Sequence, residues 1–442
     1  MNFNLSFKAE HCFSKYEKYD RASICFLFIF TYLMSLFLCY ELYLSGFYSY
    51  INIAFDLDQS WYFDIITRAP EHWIYKGESM ETPLNVKHPF LYILRIPTEF
   101  LQLFGMNEEI SGIVTTLFFV SMTPVVFYLC ARMLKNTQLN SFLLTLIFIF
   151  STTFVVNAQV LDSYSIAQFW IITAVFIFIR CISLNILDNS WGKAFVYVAM
   201  VGTTSYLILL VILCELLILT KNRGKGHSEL IGYAKTIIFK STMLFLFFFV
   251  AIYYEILIAL ILDPVGVLKS VLWAVARPGE KSGIETILEV FFLTSFIAPP
   301  PTLMNLGDGT IMLDYRSYDF SWYTIFTVAL LISVFVIAIK SEISYIYSLS
   351  LLWFLINVLF HIVYQDRGSL FLYTGHLFPL VALFISNALK FNEKANNSLL
   401  FLILFIVIFN NFRILGDLEK SIQLNSNGNP SVKVVIKSDD LI

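Results

Sequence analysis

The sequence predicts an all-α, polytopic integral membrane protein, and three observations carry that prediction. Hydrophobic residues fill 58% of the 442 positions and charged residues only 14%, against about 25% charged in a soluble globular chain. Apolar runs of the roughly 20 residues needed to cross a bilayer recur along nearly the whole length. Lysine and arginine gather in the turns at alternate ends of those runs, as they do on the cytoplasmic side of a membrane. With a mean hydropathy of +0.74, no soluble domain is left over, and residues 1–442 read as one membrane domain.

In order, Lys8, Lys15, Lys18 and Arg21 precede the first run, 23–44, so the N-terminus is expected inside. That run outlasts a signal-peptide core and ends without a small-residue cleavage site, which predicts a retained helix. Residues 46–111 then form the first outer loop, and 112–133 return to an inner turn with Arg132 and Lys135. Residues 141–156 and 164–182 go out and back around a short outer turn. A single crossing over 193–220 would place Lys221, Arg223, Lys225 and Lys235 outside. Gly202, Thr203, Thr204 and Ser205 interrupt that block, which predicts instead a hairpin of two short helices.

Residues 239–262 lead to a second large outer region, 263–321. Within it, 284–298 is apolar but short and runs into three prolines, so it is expected to be interfacial or re-entrant, with Glu285 and Glu289 on one face. Spans at 322–339, 343–363, 370–389 and 398–415 bring the expected count to about eleven. Asparagine, serine and glycine around 425–431 predict a loosely ordered tail over 416–442.

Composition also excludes. A net charge of −3, with no basic stripe outside short loops, argues against a nucleic-acid partner. The six cysteines are scattered without a CxxC pair, which argues against a zinc knuckle or a disulfide framework.

Polar chemistry is concentrated in the first outer loop, with nine carboxylates from Asp56 to Glu109 and the cations Arg68, Lys76, Lys87 and Arg95. The topology puts Asp56, Asp58, Lys87, His88, Asp162, Arg277, Lys281 and Arg367 on one face. Any outer loop is polar because it is wet, so local pattern must decide. Asp56 and Asp58 directly follow the apolar segment 51–55, read as a helix end, where incomplete hydration raises a carboxylate's pKa and makes it a better base. Lys87 and His88 precede Pro89, and a proline at a helix start leaves N–H groups open to a phosphate. The plainer reading is that Pro89 merely starts an interfacial helix beside a solvated His88. Trp61, Trp73, Tyr75 and Trp273 fit interface anchors better than ligand-stacking platforms.

Asp56, Tyr62 six residues on, His88-Pro89, Leu91-Tyr92 and Leu103-Phe104-Gly105 together resemble the first-loop signature of the GT-C membrane glycosyltransferases. The nearest branch is of the protein O-mannosyltransferase and aminoarabinose-transferase type. Asp162, between two helices, is similar to that family's second outer aspartate, and residues 202–206 resemble its glycine turn without the lysine. Leu57 and Phe90 depart from the pattern, and the likeness covers roughly 23–262.

The resemblance implies a GT-C-like fold with interfacial helices in the outer loops. It also implies transfer of a sugar from a polyprenyl-phosphate carrier to a glycan, lipid or protein acceptor, with inversion. Asp56, or its rival Asp58, matches the base; Asp162 matches a second catalytic carboxylate. Lys87 and His88 match the phosphate end, and Tyr62 and Tyr92 the substrate. Arg277 and Arg367 are further candidates for the phosphate because they lie outside beside proline or glycine. No cofactor is expected, although paired carboxylates also suit a divalent metal. The expected location is a bacterial plasma membrane with the site facing outward. Two other classes stay open: a transporter or lipid-linked-glycan flippase, and an oligosaccharide polymerase or ligase.

Overall fold

The structure, a computed structural model, describes residues 17–49, 53–55, 62, 66, 89–134, 136–160, 162–262, 264–265, 283–305, 311–315, 345–363, 370–388 and 393–426. The chain begins with α1 (Glu17–Leu44), 3-10 turns at Phe47–Ser49 and Pro89–Leu94, α2 (Arg95–Leu103), α3 (Glu108–Met133), α4 (Gln138–Phe150) and α5 (Thr152–Gln159). It continues with α6 (Ser163–Leu184), α7 (Trp191–Thr203), a 3-10 turn at Ser205–Leu207, α8 (Ile208–Lys221) and α9 (His227–Leu262). The last third holds α10 (Ile284–Glu289), a π turn at Val290–Thr294 and strands β1 (Thr302–Asn305) and β2 (Ile311–Asp314). α11 (Tyr345–Val363), a 3-10 turn at Leu370–Tyr373, α12 (Thr374–Ala388), α13 (Glu393–Asn411) and α14 (Ile414–Ser426) complete it.

Among the described residues, six helices are long and apolar enough to cross a membrane. They become seven if α4 and α5, bent by 56° at Ser151, form one span. The expected count of about eleven is larger. With 13 and 14 residues, α7 and α8 each reach only about 20 Å, and the span expected at 322–339 lies outside the described residues.

Side-chain placement is that of helices in lipid. On α1 the large residues Phe26, Ile29, Leu33, Phe37, Tyr40 and Leu44 form an exposed stripe, while Thr31, Ser35 and Cys39 turn inward and are buried. On α13 the exposed stripe is Phe401, Phe405 and Phe409, continued by Phe412 beyond its end. A soluble surface rarely shows contiguous apolar patches of this size. In lipid, small and hydroxylated residues at the helix contacts let backbones approach. The chain is an all-α, membrane-embedded protein.

Hydrogen bonds fix which helix ends meet. At one end Arg132 of α3 grips Asp20 of α1 through both carboxylate oxygens, at 3.0 and 3.2 Å, and the Tyr128 hydroxyl donates to the same carboxylate. At the opposite end the Cys39 thiol meets the Ala158 carbonyl at 3.3 Å, and the Tyr48 hydroxyl donates to the Gln159 carbonyl at 2.8 Å. α7 and α8 form the expected hairpin. Thr204 is extended, with φ −150°, and Lys193 and Tyr197 of α7 both reach Glu215 of α8, so the two helices run antiparallel.

The bend at Ser151 exposes backbone donors, and a buried N–H without a partner costs about 1–3 kcal/mol. The N–H groups of Thr152 and Thr153 go to the carbonyls of Phe296 and Ser295, at 3.3 and 3.2 Å. Residues 284–298, expected as interfacial or re-entrant, therefore enter the bundle: Thr294, Ser295 and Phe296 are buried. Asn411 locks the junction. Its amide nitrogen donates to the carbonyls of Phe150 and Phe296, both at 2.8 Å, while its oxygen accepts from the Ala298 N–H at 2.9 Å. Asn411→Leu is expected to lower stability by about 3 kcal/mol, since it orphans several buried groups at once. An unchanged thermal midpoint in detergent would show that Asn411 carries no such burden.

Two expectations are corrected beside this junction. Segment 51–55, read as a helix end delivering Asp56, is not helical where it is described, at residues 53–55. α1 stops at Leu44, Gly46 turns at φ +76°, and Ala54 makes a parallel bridge to Leu313 of β2. β2 itself pairs antiparallel with β1, Thr302 opposite Asp314, a hairpin too short to show in the hydropathy. The tail expected to be loose from Gly416 is instead helical as far as Ser426. Asn425 closes that helix on β2, accepting from the Ile311 N–H at 2.9 Å and donating to its carbonyl at 2.8 Å.

Candidate functional site

Three stretches far apart in sequence meet at the end of the bundle where α5 finishes and α6 begins. The first-loop backbone is anchored there. Phe55, at φ +55°, donates its N–H to the Leu313 carbonyl at 2.8 Å, and Leu313 donates to the Ile53 carbonyl at 2.9 Å. The Phe55 ring is buried between Tyr315 and Phe371, with centroids at 5.1 and 5.2 Å. The Tyr315 hydroxyl donates to Asp417 of α14 at 3.0 Å. Burial pushes that phenol well above its ordinary pKa, and the Asp417 carboxylate adds to the shift.

Asp162 caps α6. Its carboxylate accepts from the Ser163 N–H, at the positive end of a 22-residue helix, where an anion is favoured. Tyr62 of the first loop is buried, and its hydroxyl shares a 2.7 Å hydrogen bond with Thr116 Oγ1. Burial raises the Tyr62 phenol pKa; the Thr116 bond pulls it back, and the negative charge of Asp162 pushes it up further. Tyr62 thus lies within electrostatic reach of Asp162.

Behind Asp162 lies a cluster of rings and amides. Tyr164 and Gln168 stand on α6, Asn157 on α5, and Gly375 and His376 on α12. The Tyr164 and His376 rings are 4.9 Å apart, and the Tyr206 ring meets His376 edge-on at 5.1 Å. Tyr206 stacks on Trp353 of α11 at 5.7 Å and donates to Asn357 Oδ1 at 3.3 Å. His361 lies 4.4 Å from the Tyr373 ring. Both histidines are buried. Among the described residues, no three histidine, cysteine or acidic side chains stand close enough to hold a metal ion.

Of the residues singled out in the sequence, Asp56, Asp58, Lys87, His88, Arg277 and Arg367 lie outside the described residues. Asp162 lies within electrostatic reach of Tyr62, whose hydroxyl is engaged by Thr116. Tyr92 sits in the 3-10 turn Pro89–Leu94. Pro89 opens that turn rather than an α-helix, and Phe90 behind it packs edge-on against Trp170 at 5.4 Å. Sequence reasoning passed over His361 and His376, although an ionisable residue inside an apolar span is a functional candidate by default.

No protein-family model matches the chain, and no curated protein matches it.

Proposed function

We propose that the chain is a GT-C-type membrane glycosyltransferase that moves a sugar from a polyprenyl-phosphate carrier to an acceptor hydroxyl at the outer face of the membrane. The observation that supports this reading best is the charge of Asp162 acting on the buried Tyr62 phenol, in a first loop whose backbone is anchored at Phe55, immediately before Asp56. An acceptor oxygen attacks the anomeric carbon, the bond from that carbon to the phosphate oxygen breaks, and a carboxylate takes the acceptor's proton. Asp56 or Asp58 serves as base and Asp162 as the second carboxylate. Lys87 and His88, with Arg277 and Arg367, neutralise the departing polyprenyl phosphate. About eleven crossings, with residues 46–111 and 263–321 outside, belong to this reading.

Protein purified in detergent is expected to release polyprenyl phosphate from a single-sugar polyprenyl-phosphate donor in the presence of an acceptor mixture. Turnover of pyrophosphate-linked oligosaccharide alone would favour a polymerase or ligase.

A second reading, a transporter or flippase, is favoured by the bent α4–α5 pair and the segment 284–298 docked into it. Transporters build their sites from broken helices of this kind. Movement of labelled lipid-linked sugar across vesicles without any transfer would select it.

A further inference from the structure

Residues 221–240 carry five cations, Lys221, Arg223, Lys225, Lys235 and Lys240, against one carboxylate, Glu229, in a chain whose net charge is −3. Two of the five hold the turn between α6 and α7. Lys225 Nζ donates to the Asn185 carbonyl at 3.2 Å. Lys240 Nζ donates to the Asn189 carbonyl at 2.7 Å and lies 5.4 Å from the centre of the half-exposed Trp191 ring. Lys221 stands over the Tyr345 ring at 5.4 Å. Arg223 and Lys235 are exposed, and among the described residues neither forms an ion pair with a carboxylate.

Lys235 stands where charge and apolar surface meet. Helical spacing puts it on the same face of α9 as Ile231, Ile238 and Phe239, all exposed, while Tyr233 and Ile237 on the opposite face are buried. With 36 residues, α9 is about 54 Å long, against about 30 Å of hydrocarbon, and residues 240–262 alone cover that thickness. The first turns of α9 therefore reach past the hydrocarbon, and Trp191 with Lys240 on its ring marks the boundary, where tryptophan and lysine anchor a helix. A lysine without a carboxylate is costly inside the hydrocarbon. At the boundary its stem covers the apolar row and its amine faces the headgroups.

We infer that the turn before α9 and the first turns of that helix are a docking surface for anionic phospholipid. Acyl chains start along Ile238 and Phe239, and headgroup phosphates meet Lys235 and Arg223, with Lys221 beside them. A zwitterionic headgroup carries its own cation next to the phosphate and gains less from the cluster. The apolar row favours lipid over a soluble acidic partner, because α9 continues from this face into the bilayer. The binding is the same whichever molecule the bundle acts on.

The test is native mass spectrometry of the full-length protein in detergent, titrated in parallel with phosphatidylglycerol and with phosphatidylcholine of the same acyl chains. Phosphatidylglycerol adducts are expected at the lower lipid concentration. Lys235→Gln is expected to weaken phosphatidylglycerol binding about fivefold and Arg223→Gln/Lys235→Gln about 25-fold, with phosphatidylcholine binding unchanged. Both positions are exposed, so the thermal midpoint is expected to hold. Lys420→Gln, which removes an exposed cation from α14, is expected to leave both lipids bound as before. Equal binding of the two lipids by the wild-type protein overturns the inference, as does a preference for phosphatidylglycerol that survives in the double variant or falls equally in Lys420→Gln. A dimer that the double variant loses while keeping its lipid adducts would give the face to a second copy and likewise overturns it.

Discussion

Lys193→Met is expected to lower stability by about 3–5 kcal/mol, the loss typical when one partner of a buried ion pair is removed. The Lys193 side chain is fully buried, and its Nζ lies 2.5 Å from Glu215 Oε1 and donates to the Tyr233 hydroxyl at 2.5 Å. Glu215 also accepts from Tyr197 at 2.6 Å and from Tyr233 at 2.5 Å, so three helices share one charge pair. Without the lysine, a largely buried carboxylate keeps two phenols and no cation. The double variant Lys193→Met/Glu215→Gln keeps the phenol hydrogen bonds without the charge and is expected to recover most of the loss. The four thermal midpoints in one detergent form a double-mutant cycle. A single variant as stable as wild type would show that the pair is not what holds α7, α8 and α9 together.

That cluster also shows what a linear reading can and cannot see. The hairpin was legible because two local signals agreed: a run of small and hydroxylated residues from Gly202 to Ser205, and basic residues from Lys221 onward that needed an inner side. Its charge pair was half legible, since Glu215 stands out in an apolar run while Lys193 looks like an ordinary end residue. The bend at Ser151 was not legible. Its hydrogen bonds are completed from Ser295, Phe296 and an asparagine 261 positions from Phe150, and no local pattern announces such partners.

Asn425 misled for a related reason. Asparagine beside serine and glycine is a loop signal in isolation, yet here its amide meets both backbone groups of Ile311 and ends a docked helix. Tyr62 and Asp162 were legible as candidates through the resemblance, and their nearness was not, because 100 residues separate them. The amides of Asn157 and Gln168 were invisible for the opposite reason. Polar residues at a helix interface are common in membrane proteins, and only the structure shows that the buried amide nitrogens of these two lack acceptors.

Asp162→Asn is expected to reduce sugar transfer about 100-fold or more while leaving the fold intact. Asparagine caps a helix as well as aspartate does, so the Ser163 N–H keeps its acceptor and only the charge is lost. A positioned carboxylate acting on a proton contributes about 10²–10⁴-fold, and the field of Asp162 is already felt at the Tyr62 phenol. Asp56→Asn and Asp58→Asn complete the comparison, because a single attack hands the acceptor's proton to one base. One of these two variants is expected to lose 10²–10⁴-fold and the other to stay near wild type. Activity is read as release of polyprenyl phosphate, with donor binding and thermal midpoint measured on the same preparations. An Asp162→Asn protein that keeps full activity would reduce Asp162 to a helix cap, with the chemistry left to the first loop. Full activity in all three variants would remove the carboxylates, and with them the transferase mechanism, from this end of the bundle.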